Sequence, residues 1–367
     1  MKQTRRRHAV AYGFLTMGMA MPAALGVHAF ATSCNNGSSV RPVSPEMNAR
    51  IESQVMAEMG EAAPRVMIVS FDGLRPDAIS KAQLSTLTSL IEEGSSQLFA
   101  LAEVPCITLP NHSSMVTGLS IAHHGVLLNF DLPGRIKSRT IFDEARDAHV
   151  PSGFFATKSK LKFLCGEQDA EVVQVASSVE AVADRVIEAI QQRDLRFIFL
   201  HFGEPDGAGH AHGWMSDKYL AAALRSDAAL GRILAAMEEK GIRDETVIIV
   251  SADHGGHGKS HGLDIADDRL IPFIIQGPGI AAGRTLCRQI RTMDTAATAL
   301  HLLGLPTATA MDGHVVDEAM SDSPTPDCDE PSPVFSMPCG PFPPFFLAPM
   351  AIGFWILRST QRRKVRC

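Results

Sequence analysis

A chain of 367 residues that is 45% hydrophobic and 20% charged can bury a sizeable core, as one large α/β domain or two modest ones. Its formal charge of -6 and pI near 6.2 leave no basic footprint of the kind that neutralises a nucleic-acid backbone. A nucleic-acid polymer is therefore excluded as the expected partner.

In chain order, Arg5, Arg6 and Arg7 precede the apolar run "AVAYGFLTMGMAMPAALGV" and then "HAFATS". This is the layout of an export signal over residues 1–31; the apolar run is long for that role, so an uncleaved anchor helix is the alternative. Residues 32–63 are polar and read as a linker. From 64 to 318, apolar runs alternate with helical patterns, which predicts an α/β fold with a mostly parallel central sheet and helices on both faces. "RVMIVSF", "RFIFLHF", "TVIIVSA" and "PFIIQG" are the expected strands. "DAISKAQLSTLTSLIEEG", "SSVEAVADRVIEAIQQR" and "SDKYLAAALRSDAALGRILAAMEEKG" are expected as helices.

Residues 319–340 form a proline-rich stalk, 341–357 an apolar segment and 358–367 a basic tail. The apolar segment fits either a membrane span with its positive end inside or a C-terminal sorting signal. The expectation is an exported catalytic domain on the periplasmic or extracellular face, anchored at its C-terminus. Seven cysteines stand at 34, 106, 165, 287, 328, 339 and 367 without a C-x-x-C pair. Cys328 and Cys339 flank a short loop and are candidates to pair, although connectivity is not fixed by sequence.

Chemistry gathers in three places. "CITLPNHSSMVTG" puts Thr108 where a helix begins, a place for a cap but also one where unpaired N–H groups favour a phosphate. Three expected strands run into acids: Asp72, Asp206 and Asp253 with His254. In open α/β sheets such residues converge outside the carboxyl ends of the strands. Asp206 and His210 share a face if "EPDGAGHAHG" is helical, and its glycines allow a loop equally well. "ADHGGHGKSHG" adds His257 and His261 in a stretch whose glycines suit backbone wrapped round a metal.

The ordered set "FDGLRPD", "TLPNHSSMVTGL", "HHGV", "EPDGAGH", "SADHGGHGKSHG" and "MDTAATALHLLGLP" with "MDG" resembles the alkaline phosphatase superfamily, in its type I phosphodiesterase and nucleotide pyrophosphatase branch. The resemblance implies two divalent ions, zinc by preference, with manganese or iron as alternatives. Asp206, His210 and His261 would hold one. Asp72, Asp253, His254 and the Thr108 oxygen would hold the other, with His261 favoured over His257 by motif order. It further implies attack by Thr108 on a small phosphorylated substrate through a phospho-threonine, with Asn111 donating to a phosphoryl oxygen. "ATKSKLKFLCG" resembles the lysine segment of phosphonoacetate hydrolases, which implies Lys158 and Lys160 as substrate ligands; surface lysines are the plain alternative. Cys106 lacks the Cys-x-Pro-x-Arg context that sulfatases need. A phosphomonoesterase or phosphonoacetate hydrolase, a phosphoryl or phosphoethanolamine transferase, and a non-catalytic metal-stabilised surface protein are the rival readings.

Overall fold

The computed structural model describes residues 64–307, 310–325 and 328. The expected export signal and linker, most of the expected stalk, the apolar C-terminal segment and the basic tail lie outside the described residues. Among the described residues no helix is long and apolar enough to cross a membrane.

Eight strands form one sheet: β1 (Arg65–Phe71), β2 (Ser95–Leu101), β3 (Ser152–Ala156), β4 (Val172–Val175), β5 (Phe197–Phe202), β6 (Thr246–Ser251), β7 (Leu270–Gln276) and β8 (Arg284–Thr285). Their order is β4-β3-β5-β1-β6-β7-β2-β8. The sheet is parallel except where β7 runs against β6 and β2. Every residue of β1, β5 and β6 is buried. That is why these strands are continuously apolar instead of alternating. β1 lies between β5 and β6, parallel to both, with Phe71 opposite Phe202 and Ser70 opposite Ser251. The three carboxyl ends therefore sit side by side.

The helices used below are α1 (Pro76–Lys81), α2 (Ser85–Glu93), α3 (Thr108–Thr117), α4 (Ile141–Asp147), α5 (Val179–Gln192), α6 (Glu204–His212), α7 (Asp217–Lys240) and α8 (Asp294–Leu302). The single helix expected over "DAISKAQLSTLTSLIEEG" is two. Gln83 takes φ 52° between them, and a left-handed residue ends a helix whatever its flanks prefer. The "EPDGAGHAH" stretch is helical, as α6. Ser178 and Ser216 cap α5 and α7, accepting from Ala181 N and Tyr219 N, which leaves their amphipathic faces to pack on each other.

α3 is the unusual element, since all ten of its residues are buried although six of them are polar. Burial of this kind costs little only when each polar group finds a partner. The Ser113 hydroxyl donates to Leu109 O at 2.7 Å, Thr117 to Ser113 O at 2.7 Å, and Ser114 bonds His124 Nε2 at 3.0 Å. Gly118 ends the helix at φ 69°, and a Cβ there would lie 2.8 Å from Met311 Sδ. Glycine is required at that turn on both counts.

The cysteine expectation is corrected: Cys328 pairs with Cys287, with Cα atoms 5.2 Å apart, across 41 residues of sequence. Cys339 lies outside the described residues. Cys106 and Cys165 are buried and free.

Candidate active site

The end of β1 carries Asp72, the turn after β5 leads into α6 with Asp206, and the end of β6 carries Asp253 and His254. All four are buried. Gly73 holds them together. Its φ is 72°, and a Cβ built on it would stand 3.1 Å from Asp206 Cβ, so only glycine lets α6 approach this closely. The Gly73 N–H donates to Asp253 Oδ1 at 3.0 Å, while its carbonyl accepts from Trp214 Nε1 at 2.9 Å and the Tyr219 hydroxyl at 2.8 Å.

Two groups of side chains can each close on one ion: Asp72, Asp253 and His254, and Asp206, His254 and His261. His254 Nε2 is 3.3 Å from Asp253 Oδ2, 3.6 Å from Asp72 Oδ1 and 3.9 Å from Asp206 Oδ1. Those four atoms are buried and have no hydrogen-bond partner among the described residues. Unpartnered buried carboxylate oxygens facing a ring nitrogen are costly, and a divalent ion is what such a set fits.

The histidines are prepared for this role by their other nitrogens. His254 Nδ1 faces Gly255 O at 2.8 Å, His261 Nδ1 faces Cys106 O at 2.7 Å and His210 Nδ1 faces Lys259 O at 3.1 Å. A carbonyl can only accept, so each Nδ1 carries a proton, and a neutral ring then presents its Nε2 lone pair toward the acids. His210 Nε2 lies 3.3 Å from Asp206 Oδ1 and 3.1 Å from His261 Nε2, and the His254 and His261 rings stack at 3.7 Å. Burial, with repulsion from His254 added, depresses the His261 pKa to about 4, which keeps it neutral. His257 instead turns its Nδ1 to Asp268 Oδ1 at 2.7 Å, away from this set.

Thr108 is not the cap. Ile107 is the N-cap, without a side-chain bond, and Thr108 is the first helical residue. Its segment is tied to the acids at both sides: the Cys106 carbonyl holds His261, and the Thr108 carbonyl lies 2.8 Å from His112 Nδ1, which is 3.4 Å from Asp253 Oδ2.

Asn111 is a correction. It is fully buried, its Nδ2 donates to Glu103 O, Pro105 O and Ile107 O at 3.0, 3.1 and 3.3 Å, and its Oδ1 accepts from Glu103 N at 2.7 Å. With every polar atom spent on the loop that delivers Thr108, it positions that loop and has no donor left for substrate. The residue bonded to the turn that carries Thr108 is Asn129, which sequence reasoning missed. Its Oδ1 accepts from Leu109 N at 2.9 Å and Lys160 Nζ at 2.9 Å. Both donors fix its flip, and among the described residues its Nδ2 has no partner.

The two lysines part company. Lys160 forms no ion pair among the described residues, and burial, helped by Lys158, lowers its pKa. Lys158 Nζ lies 2.7 Å from Asp72 Oδ2 and 2.6 Å from Asp206 Oδ2. The expectation that Lys158 faces substrate is therefore corrected to a clamp on the outer oxygens of two carboxylates, whose inner oxygens face the ion groups. Burial opposes its charge, but Asp72, Asp206 and Asp253 outweigh it and raise its pKa. Burial likewise works against Asp72, yet Lys158 and the His201 bond hold its carboxyl well below the usual range. Asp253 has no such ammonium, and burial together with Asp72 raises its pKa. His201 was also missed. It is buried on β5 with Nε2 2.8 Å from Asp72 Oδ2 and its ring backed by Thr157. The lone polar residue in "FIFLHF" was its only signal.

Residues 66–266 match the family described as type I phosphodiesterase / nucleotide pyrophosphatase, more than half of the chain, and the chain belongs to that family of metal-dependent hydrolases. It is 24% identical to rat ectonucleotide pyrophosphatase/phosphodiesterase family member 7 over 217 residues, covering 52% of this chain and 49% of that protein. It is 25% identical to mouse bis(5'-adenosyl)-triphosphatase over 218 residues, covering 53% and 47%. The chain thus spans about half the length of these relatives. An inactive variant of murine ectonucleotide pyrophosphatase / phosphodiesterase 5 in complex with AMP superposes with a TM-score of 0.62 at 18% identity, covering 70% of this chain and 100% of that one. A phosphonate monoester hydrolase from Silicibacter pomeroyi gives 0.58 at 18% identity, covering 71% and 78%. At such identities these two establish the fold.

Proposed function

We propose that the protein is an exported two-metal phosphoester hydrolase of the phosphodiesterase type, with its catalytic unit at residues 64–318. The observation that carries this reading is the convergence of four buried, unpartnered atoms on Asp72, Asp206, Asp253 and His254 beside the start of α3. Asp206, His210 and His261 would hold one ion, and Asp72, Asp253 and His254 the other, with the Thr108 hydroxyl beside it. Oxygen and imidazole donors suit zinc, and manganese or iron fit the same set. When bound, such ions neutralise phosphoryl oxygens and acidify a coordinated hydroxyl.

Thr108 Oγ1 then bonds to phosphorus as the bond to the departing alcohol breaks, the proton ending on that alcohol. Water releases the phosphate from the threonine and restores the hydroxyl. Lys160 and the Nδ2 of Asn129 are the proposed donors to the phosphoryl oxygens, in place of Asn111. The Cys287–Cys328 disulfide supports the export reading, since such bonds persist in oxidising compartments.

The test is a hydrolysis panel with zinc-loaded enzyme: a phosphomonoester, a phosphodiester, a nucleotide pyrophosphate and phosphonoacetate. Thr108→Ala should lose turnover by on the order of 10³-fold or more while binding the same amount of metal. Residual hydrolysis near the parent rate would remove the nucleophile assignment. A metal-free preparation with full activity would remove the two-ion mechanism. If phosphonoacetate or the monoester is turned over best, the unpaired Lys160 is serving a dianion and the alternative reading replaces the diesterase.

A further inference from the structure

β5 is apolar throughout except for His201, which is fully buried and takes no part in the steps proposed above. Its place follows from strand register. His201 lies opposite Ser70 in the parallel pairing of β5 with β1, and Asp72 is two residues beyond Ser70, so the imidazole stands diagonally beside that acid and Nε2 reaches Asp72 Oδ2 at 2.8 Å.

The hydrogen bonds fix which nitrogen carries the proton. Thr157 N–H donates to His201 Nδ1 at 3.3 Å, so that nitrogen holds a lone pair, the ring is neutral, and Nε2–H is the group that donates to Asp72. The Thr157 hydroxyl lies 3.2 Å from the same Nδ1 and accepts from Gly203 N at 2.8 Å, which leaves its own hydrogen for the ring. Only glycine fits against this pair: a Cβ on Gly203 would stand 2.6 Å from Thr157 Oγ1 and 3.0 Å from His201 Cε1.

Asp72 needs such a partner because the two oxygens of a carboxylate are chemically alike and its terminal torsion is broad. Lys158 Nζ meets the same Oδ2 at 2.7 Å, but it is a point charge on a flexible stem and is shared with Asp206. It supplies charge and leaves the carboxylate plane loose. The imidazole is planar, is held at its far nitrogen by Thr157 and is carried by a buried strand. With both donors on Oδ2, Oδ1 is the atom without a partner among the described residues, 3.6 Å from His254 Nε2.

Resting on the two-ion reading above, we infer that His201, held by Thr157, is a positioning residue that turns Asp72 Oδ1 toward the ion beside Thr108. Being neutral, it sets the direction of the carboxylate and leaves its charge for the cation.

The experiment titrates the metal-free full chain with zinc by calorimetry. His201→Phe keeps a ring in the strand and removes the donor, so it should weaken one of the two ions by about 10- to 100-fold and leave the other within about twofold. His201→Gln, which keeps a donor near the Nε2 position, should restore the weakened ion to within about threefold of the parent. In an Asp253→Ala background, expected to keep only the other ion, His201→Phe should change the remaining affinity by less than about twofold. Thr157→Val removes the hydroxyl without touching β5 and should weaken the same ion at least about threefold, which tests the inference even if His201→Phe does not fold. Two unchanged affinities in His201→Phe or in Thr157→Val, or an equal weakening of both ions that His201→Gln does not reverse, overturns the inference and leaves the hydrolase intact. A parent chain that binds no zinc is the failure of the two-ion reading itself and takes the inference with it.

Discussion

Two acidic clusters are buried among the described residues, and they are opposites. In one, Asp143 at the start of α4 and Asp169 are answered by Arg135 and Arg146: Arg135 grips both Asp143 oxygens at 3.0 and 2.6 Å, and Arg146 Nη1 meets Asp169 Oδ1 at 2.6 Å. Thr140 N and Gly166 N donate to the same carboxylates at 2.9 and 2.7 Å. In the other, a single ammonium meets Asp72 and Asp206 and none meets Asp253, and among the described residues each of the three acids keeps one oxygen without a hydrogen-bond partner. Charge matched inside the chain produces structure. Charge left unmatched, in a place folding took pains to bury, is chemistry awaiting a cation.

The largest effect expected from that contrast is at Asp253, the acid without a lysine. Asp253→Ala removes a proposed ligand from its candidate ion group, so hydrolysis should fall on the order of 10³-fold and bound metal should drop by about one ion per chain. Elemental analysis of the purified variant measures the second quantity. Full metal content with lost activity would move Asp253 out of the ligand set and blur the distinction between the clusters.

An intermediate effect is expected at Lys158, which borrows the logic of the paired cluster inside the unpaired one. Lys158→Met leaves Asp72 and Asp206 without their shared ammonium, and breaking a buried pair costs about 3 kcal/mol in the metal-free protein. Added zinc should then raise the variant's melting temperature more than the parent's, because the ion replaces a lost countercharge. Rates on a monoester and a diester should fall by similar factors, since the lysine acts through the carboxylates. A loss confined to the monoester would return Lys158 to the substrate.

The difference between the clusters also separates what the sequence makes legible from what it hides. Asp72, Asp206, Asp253 and His254 could be read because buried parallel strands are written as unbroken apolar runs, and an acid at the end of each has one place to go. His261 followed from motif order. Asn111 was misassigned because a polar residue in the first turn of a helix has the same local pattern whether it binds substrate or ties down the preceding loop; only the bonds to Glu103, Pro105 and Ile107 decide. Lys158 was legible as a lysine near the site, but its target depends on β3, β1 and α6 meeting in space. His201, inside an apolar strand, and the Cys287–Cys328 pairing are long-range facts of the same kind.

The smallest effect belongs to the paired cluster, and its pH dependence has a definite sign. Burial opposes ionisation of Asp143, but the Arg135 bonds and Thr140 N outweigh it and lower its pKa to about 2. An unfolded aspartate titrates near about 3.9. A carboxylate whose folded pKa is depressed contributes stability that is fully present above the unfolded value and lost as the pH falls through the folded one. Asp143→Asn should therefore cost about 1 to 2 kcal/mol between pH 5 and 8. The gap between parent and variant should narrow below about pH 4 and close near pH 2, as followed by urea unfolding across that range. Activity should stay within about twofold, because none of the cluster's bonds reaches a site residue. A gap that persists unchanged at low pH would mean that Asp143 acts through packing and the α4 cap alone. The matched cluster would then owe its stability to shape and not to charge.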